Sequence, residues 1–187
     1  MFGGVNGAGK TTVATELLKD VLKVPVFTNA DAIARGLNAL DVESVAFQAG
    51  RSMLNWMHTL ARDRKDFAFE TTLAARSYAV WLKELKQSGY EVYVYYYWLP
   101  SPEVAIERVR LRVERGGHHI PERDIRRRYS RSVWNFLNLY RDLADHWEVW
   151  NNTTSPRTLI ALGKGEQCIV DSDEVWSQFT ESSHARE

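Results

Sequence analysis

Short apolar runs rich in β-branched and aromatic residues alternate with longer stretches whose apolar positions recur every three to four residues. This is the pattern of an α/β domain on a mainly parallel sheet. After a glycine-rich opening, Val13, Leu17, Leu18, Val21 and Leu22 predict a helix over 10–23, and Pro25 ends it beside a short strand at 24–27. A second crossover begins near Asp31 and continues over 41–63 as one long amphipathic helix. The chain then returns through a strand, Phe67, Ala68 and Phe69, with Glu70 at its end. Residues 78–87 read as a helix stopped by Ser88 and Gly89. Residues 91–99, dense in Val and Tyr, are the clearest strand, and their apolarity predicts a central position. Ser101, Pro102 and Glu103 supply a capping hydroxyl, a first-turn proline and an early carboxylate, so a helix is predicted from there to Gly116 and Gly117. Pro121 and Glu122 start another, with Ile125, Tyr129, Val133, Phe136, Tyr140 and Leu143 on one face, lasting to about Trp147. Late strands are expected at 148–150, 158–162 and 167–170, the last two joined by a turn at Gly163, Lys164 and Gly165. The polar tail from Ser177 is expected to fray, and Trp56 and Trp81, on helical stripes, read as core.

With 187 residues, 44 % hydrophobic and 26 % charged, the chain is expected to form one domain over 1–187 with a sizeable core, which excludes disordered and fibrous classes. Equal numbers of acids and bases, 24 each, argue against general attraction to nucleic acid or anionic lipid. Cys168 is the single cysteine, so neither an intramolecular disulfide nor a thiolate metal cluster is available, and a reducing, cytoplasmic setting is expected. The longest apolar run, 92–99, is far too short for a membrane span, and no signal peptide is predicted.

The most specific chemistry lies at the start. Gly4, Val5, Asn6, Gly7, Ala8, Gly9, Lys10 and Thr11 satisfy the phosphate-loop pattern in full. Glycines let several N–H groups converge on one phosphate, the following helix adds its positive end, Lys10 reaches the β and γ phosphates, and Thr11 offers a hydroxyl to Mg²⁺. ATP with Mg²⁺ is the expected ligand. Only Met1 and Phe2 precede Gly3, so the strand that should feed the loop is predicted to be largely missing.

Ligands of open parallel sheets lie beyond the carboxyl ends of the strands, where Asp31 and Glu70 also fall. Asp31 is either the base that orients a hydroxyl acceptor or a cap for its own helix. Glu70, Thr71 and Thr72 either meet substrate or Mg²⁺, or cap a following helix. Residues 107–131 hold nine arginines against four acids around Gly116, Gly117, His118 and His119. That spacing suits a mobile lid whose guanidinium groups fold over ATP, though pairing with Glu107, Glu114, Glu122 and Asp124 on a solvated face would account for several of them. With Ile125 marking the buried direction, Arg128 is a better cleft candidate than Arg127. His118 and His119 lack a third ligand at metal-binding spacing. RNA binding by this basic segment lacks an aromatic stacking platform, so nucleic acid is not the expected partner.

The run from Gly3 to Thr12, the Phe27-Thr28-Asn29-Ala30-Asp31 segment, Phe69-Glu70-Thr71-Thr72-Leu73, and Gly116-Gly117-His118-His119-Ile120-Pro121 followed by Arg127-Arg128-Tyr129 resemble the zeta toxin family over most of residues 3–150. The resemblance implies a three-layer, P-loop nucleoside-kinase-like α/β fold and ATP-dependent phosphorylation of the 3′ hydroxyl of UDP-N-acetylglucosamine. By position it implies Lys10 as the phosphate lysine, Thr11 as the Mg²⁺ hydroxyl, and Thr12 among the ATP contacts. It makes Asp31 the base, Glu70 and Thr72 substrate contacts, and Arg112 with Arg128 the lid arginines. An antitoxin is the partner it implies. A small-molecule kinase acting on a sugar nucleotide is therefore the leading expectation. The competing one is a P-loop nucleotide-binding protein without kinase activity, serving as a switch or RNA-binding module.

Overall fold

The Val- and Tyr-rich run forms β4 (Tyr93–Trp98), the fourth of seven strands, and only Tyr93 within it is exposed. A computed structural model describes residues 1–18, 22–164 and 167–184 of the chain. Around β4 lie β1 (Phe2–Gly4), β2 (Phe27–Thr28), β3 (Ala68–Thr71), β5 (His146–Asn151), β6 (Thr158–Lys164) and β7 (Gln167–Val170), in the order β2-β3-β1-β4-β5-β6-β7. The first five of these positions are parallel, and β6 and β7 add an antiparallel hairpin beside β5. The central position predicted from the apolarity of β4 is therefore met.

The strand expected to be largely missing is short but present. Phe2 and Gly3 pair on both sides, Phe2 with Glu70 of β3 and with Tyr95 of β4, and Gly4 pairs with β4, so the sheet keeps its centre. The Phe2 ring stacks on Tyr95, with centroids 5.5 Å apart. Gly4 has φ +136°, and a Cβ there would overlap the carbonyl oxygen of Tyr97. Only glycine lets the chain leave this strand so close to its neighbour.

The helices are α1 (Lys10–Leu17), α2 (Ala30–Leu37), α3 (Ala46–Arg62), α4 (Ser77–Gln87), α5 (Pro102–Glu114), α6 (Glu122–Asn135) and α7 (Asp173–Glu181). The start of α5 follows the prediction: the Ser101 hydroxyl accepts the Val104 N–H, and Pro102 occupies the first turn. Gly89, at φ +92°, follows α4 as expected.

Elsewhere tertiary context moved the boundaries. The single helix expected over 41–63 starts only at Ala46, because Asn38 and Asp41 side chains accept backbone N–H groups at 40, 41 and 44 and hold that segment as turns, a local alternative to helix. The strand predicted at 24–27 lies later, where Phe27 and Thr28 pair with Ala68 and Phe69. The stripe expected to run to Trp147 leaves α6 through a π-helical turn, Phe136–Tyr140, and the helical stretch ends before β5. There Lys86 donates to the Leu143 carbonyl at 2.7 Å and to Asp145 at 3.0 Å, while Asp145 accepts the Val92 N–H. Trp147 is thus a strand residue. Gly163 and Lys164 are strand rather than turn; Gly165, residues 19–21 of the first predicted helix and residues 185–187 lie outside the described residues.

The tail does not fray at Ser177. Ser172 caps α7, and Phe179 is fully buried against Tyr96, Phe136 and Trp98, a kind of site where truncation to alanine costs about 3–5 kcal/mol. Trp81 packs on Phe67 and His58 as expected of core, but Trp56 is half exposed, because the stripe of α3 that faces the core carries Ala49, Met53, Met57 and Leu60 instead. No helix among the described residues is long and apolar enough to cross a membrane.

Candidate active site

After β1 the chain lays β2 and β3 on one side of it and then crosses to β4 on the other, so the carboxyl end of β1 sits at the point where strand order diverges. The phosphate loop leaves from there. Gly7, at φ +74°, brings the loop against α5, where a Cβ would lie 2.9 Å from the Ala105 carbonyl. The loop is braced from its far side by Asn152, whose amide donates to the Ala8 carbonyl at 2.7 Å. Asn6 is buried, Gly9 precedes the first turn of α1, and Thr12 lies exposed on that turn.

Lys10 is 5 % exposed and folds back to donate to the Val5 carbonyl at 2.9 Å, with Glu70 3.9 Å away. Burial pushes its pKa down, the nearby carboxylates of Glu70 and Asp31 oppose that shift, and the Arg112 charge adds to it. Lys10, Glu70, Asp31 and Arg112 therefore share one electrostatic neighbourhood, although they come from α1, β3, α2 and α5.

Thr11 donates its hydroxyl proton to Glu70 Oε2 at 2.6 Å. The same carboxylate oxygen accepts from the Asn29 amide at 2.7 Å, and that amide also lies 3.3 Å from the Thr11 hydroxyl. Asn29 does a second thing. Its Oδ1 accepts the N–H groups of Asp31 and Ala32, at 2.7 and 3.2 Å, and so caps α2. The cap alternative for Asp31 is thereby removed: its carboxylate stands exposed in the first turn, with Asn29 doing the capping. No helix begins at Thr72 either, so Glu70 is not a helix cap; α4 starts only at Ser77. Thr71 accepts the Leu73 N–H at 3.1 Å, and Thr72 is half-buried just beyond β3.

The arginines divide. Arg110 pairs with Glu107 and Glu114, Arg126 with Glu103 and Arg127 with Asp124, the solvated-face role. Arg108 donates to the Thr153 carbonyl at 2.6 Å and ties α5 to the loop after β5. Arg112 is half-buried, donates to the His118 carbonyl at 2.7 Å, and keeps its Nε buried without a partner. Arg128 is half-buried while Arg127 is exposed, as helix geometry predicted. Among the described residues no cluster of three His, Cys, Asp or Glu could hold a metal. A Mg²⁺ bound mainly by phosphate and water needs fewer protein ligands, and the oxygen pair of Thr11 and Glu70 fits such an ion.

Three contributors escaped the sequence. Asn29 stands within the Phe27–Asp31 segment, and nothing local tells a cap from a bridge to a carboxylate 41 positions away. Asn152 and Arg157 border an open cleft of about 550 Å³ beside Gly9, Thr12 and Glu16; Arg157 lies over the Trp150 ring and 3.7 Å from Glu16. They sit in an ordinary polar loop with no motif to mark it.

Residues 1–132 match the model of the AAA domain family. The chain belongs to that family. This AAA-domain protein is 29 % identical over 128 residues to an uncharacterised protein of Haemophilus influenzae (strain ATCC 51907 / DSM 11121 / KW20 / Rd), covering 68 % of this chain and 89 % of that protein. Its fold is P-loop kinase-like. It matches a chain of the AvrRxo1-ORF1:-ORF2 complex with ATP at a TM-score of 0.75 and 15 % identity, over 97 % of this chain and 63 % of that one. It matches the PezAT chromosomal toxin-antitoxin system of Streptococcus pneumoniae at 0.64 and 17 %, over 100 % of this chain and 78 % of the other. The zeta-type resemblance of the motifs is thus accompanied by a fold shared with chains of both complexes, and the chain spans under two-thirds of the AvrRxo1 chain it matches.

The Asn29 bridge carries a prediction. Asn29→Ser keeps a capping oxygen for α2 but loses the amide that steadies Glu70 and Thr11, and Asn29→Asp keeps the cap while facing Glu70 with a like charge. Asn29→Ser is expected to melt near the wild-type temperature and Asn29→Asp below it, and both to lose nucleotide-dependent turnover, by about tenfold for Ser and more for Asp. Unchanged turnover in both would show that the bridge is not used.

Proposed function

We propose that this protein is an ATP-dependent small-molecule kinase of the zeta type, transferring the γ-phosphate to a hydroxyl of UDP-N-acetylglucosamine or a similar sugar nucleotide. The observation that carries the reading is the convergence of Asp31, free of capping duty, with Lys10 and the Thr11–Glu70 pair at the carboxyl edge of the sheet.

The loop amides and Lys10 hold the β and γ phosphates, and the cleft by Asn152 and Arg157 takes the adenine. Thr11, with Glu70 behind it, would hold Mg²⁺, which when bound neutralises charge on the phosphates. Asp31 accepts the proton of the acceptor hydroxyl as that oxygen attacks γ-phosphorus and the bond to ADP breaks. Glu70 and Thr72 orient the acceptor. Arg112 and Arg128 approach from α5 and α6, either side of the Gly116-Gly117 turn, and stabilise the charge on the transferring group. An antitoxin that covers this edge would silence the enzyme, a reading supported by the toxin-antitoxin pair that shares its fold.

The test is transfer from γ-labelled ATP with Mg²⁺ to a panel of UDP-sugars, nucleosides and small alcohols. Label appearing on UDP-N-acetylglucosamine or a close relative is the expected result. ATP binding without transfer to any member would replace the kinase with a nucleotide-dependent switch.

A further inference from the structure

The helix α5 closes on a glycine pair whose two members have different work. The Gly117 N–H donates to the Arg112 carbonyl and the Gly116 N–H to the Val113 carbonyl, both at 2.9 Å, and Gly116 takes the left-handed φ of +82° that such a cap requires. A Cβ on Gly116 would meet nothing within 4 Å. One on Gly117 would lie 2.5 Å from Arg112 Cγ and 2.8 Å from the Arg112 carbonyl oxygen. Gly117 therefore lets the turn fold down onto the Arg112 stem, and the next carbonyl, that of His118, accepts from Arg112 Nη2 at 2.7 Å.

Arg112 stands on the flank of α5 that meets the phosphate loop. Gly7 packs against Ala105, Arg108 and Val109, and Arg112 follows those three at i+7, i+4 and i+3. The other arginines of this helix are engaged elsewhere, Arg108 by the Thr153 carbonyl and Arg110 by Glu107 and Glu114. Arg112 Nε is buried with no partner, a cost that a side chain held only for packing would avoid. The chain beyond the turn is anchored as well. Ile120 and Ile125 are buried, and Arg126 of α6 reaches back to Glu103 in the first turn of α5 at 2.6 Å.

We infer that Gly117 is a positioning residue: by closing on the Arg112 stem and presenting the His118 carbonyl, it fixes the guanidinium for the terminal phosphate of the nucleotide before that nucleotide arrives. On this reading the glycine pair is a clasp and not a pivot. A guanidinium held in advance loses less freedom when it forks onto phosphate oxygens, and a phosphate in the loop supplies the acceptor that Nε lacks. The inference deepens the kinase reading and rests on it for transfer, though not for the recognition of the terminal phosphate.

The test compares the affinity of a non-hydrolysable ATP analogue with that of ADP, both with Mg²⁺, so that the ratio reads the terminal phosphate. Wild type is expected to prefer the analogue. Arg112→Met and Gly117→Ala should each cut that preference by about tenfold or more, and the double variant should lose no more than either, as residues acting through one contact do. Gly116→Ala, strained at its left-handed position but clear of Arg112, should melt at a lower temperature and keep the preference. In isotope-labelled wild type, the guanidinium NMR signals that Arg112→Met removes should shift with the analogue and not with ADP, a readout that stands even where Gly117→Ala does not fold. Wild type without the preference or without that shift, Gly117→Ala retaining the preference, or Gly116→Ala losing it equally overturns the clasp. In the transfer assay Gly117→Ala should lower kcat and spare the acceptor KM. Transfer by wild type with kcat unaltered in Gly117→Ala also overturns the clasp and leaves the kinase standing. The expected pattern of preference, with no transfer to any acceptor, keeps the clasp and removes the kinase.

Discussion

Asp31→Ala is expected to leave ATP binding intact and to lower phosphate transfer by about 10²–10⁴, the usual contribution of a positioned proton acceptor. The structure makes the experiment clean. Asn29, not Asp31, caps α2 through the backbone N–H groups of Asp31 and Ala32, so the substitution removes a carboxylate without removing a cap. Asp31 is also exposed, and an exposed substitution of this kind shifts stability by about 0.5 kcal/mol or less. Calorimetric ATP titration beside a labelled-transfer assay reads both halves. Transfer retained at wild-type rate would end the assignment of Asp31 as base; loss of ATP binding in parallel would mean that its charge serves the nucleotide rather than the acceptor.

Lys10→Met is expected to weaken ATP binding and to cut transfer by about 10²–10³, the scale found for removing one preorganised charge donor. Its effect on melting should be small. Burial pushes the Lys10 pKa down, against the pull of Glu70 and Asp31; the folded state therefore disfavours the ammonium at any pH below the unfolded lysine pKa, and removing it relieves that cost. Glu70 keeps the Thr11 hydroxyl and Asn29 amide as donors when Lys10 is gone. A variant that melts like wild type yet neither binds nor transfers fits a lysine kept for its ligand. A large drop in melting temperature with ATP binding preserved would make Lys10 a structural residue instead.

Much of this arrangement was legible in order along the chain. The phosphate loop, the capped start of α5 and the all-apolar β4 each depend on neighbours within a few positions. Arg128 over Arg127 followed from helix geometry alone, because Ile125 fixes the direction of burial. The misplacements have specific causes. The stripe through Tyr140 and Leu143 continues past the point where Lys86 and Asp145 stop the helix, and those contacts join positions 57 and 59 apart. The tail from Ser177 is polar on average, yet Phe179 docks it, and the Ser182 hydroxyl accepts from the Trp98 indole N–H at 3.2 Å.

By itself, then, the sequence determined the α/β class, the phosphate loop and the central strand, because periodicity, caps and glycine spacing are local. Only the tertiary structure decided that the three-residue first strand fills the sheet centre and that Asn29 frees Asp31 by capping in its place. Each of those depends on backbone pairing or side-chain packing between segments far apart in the chain.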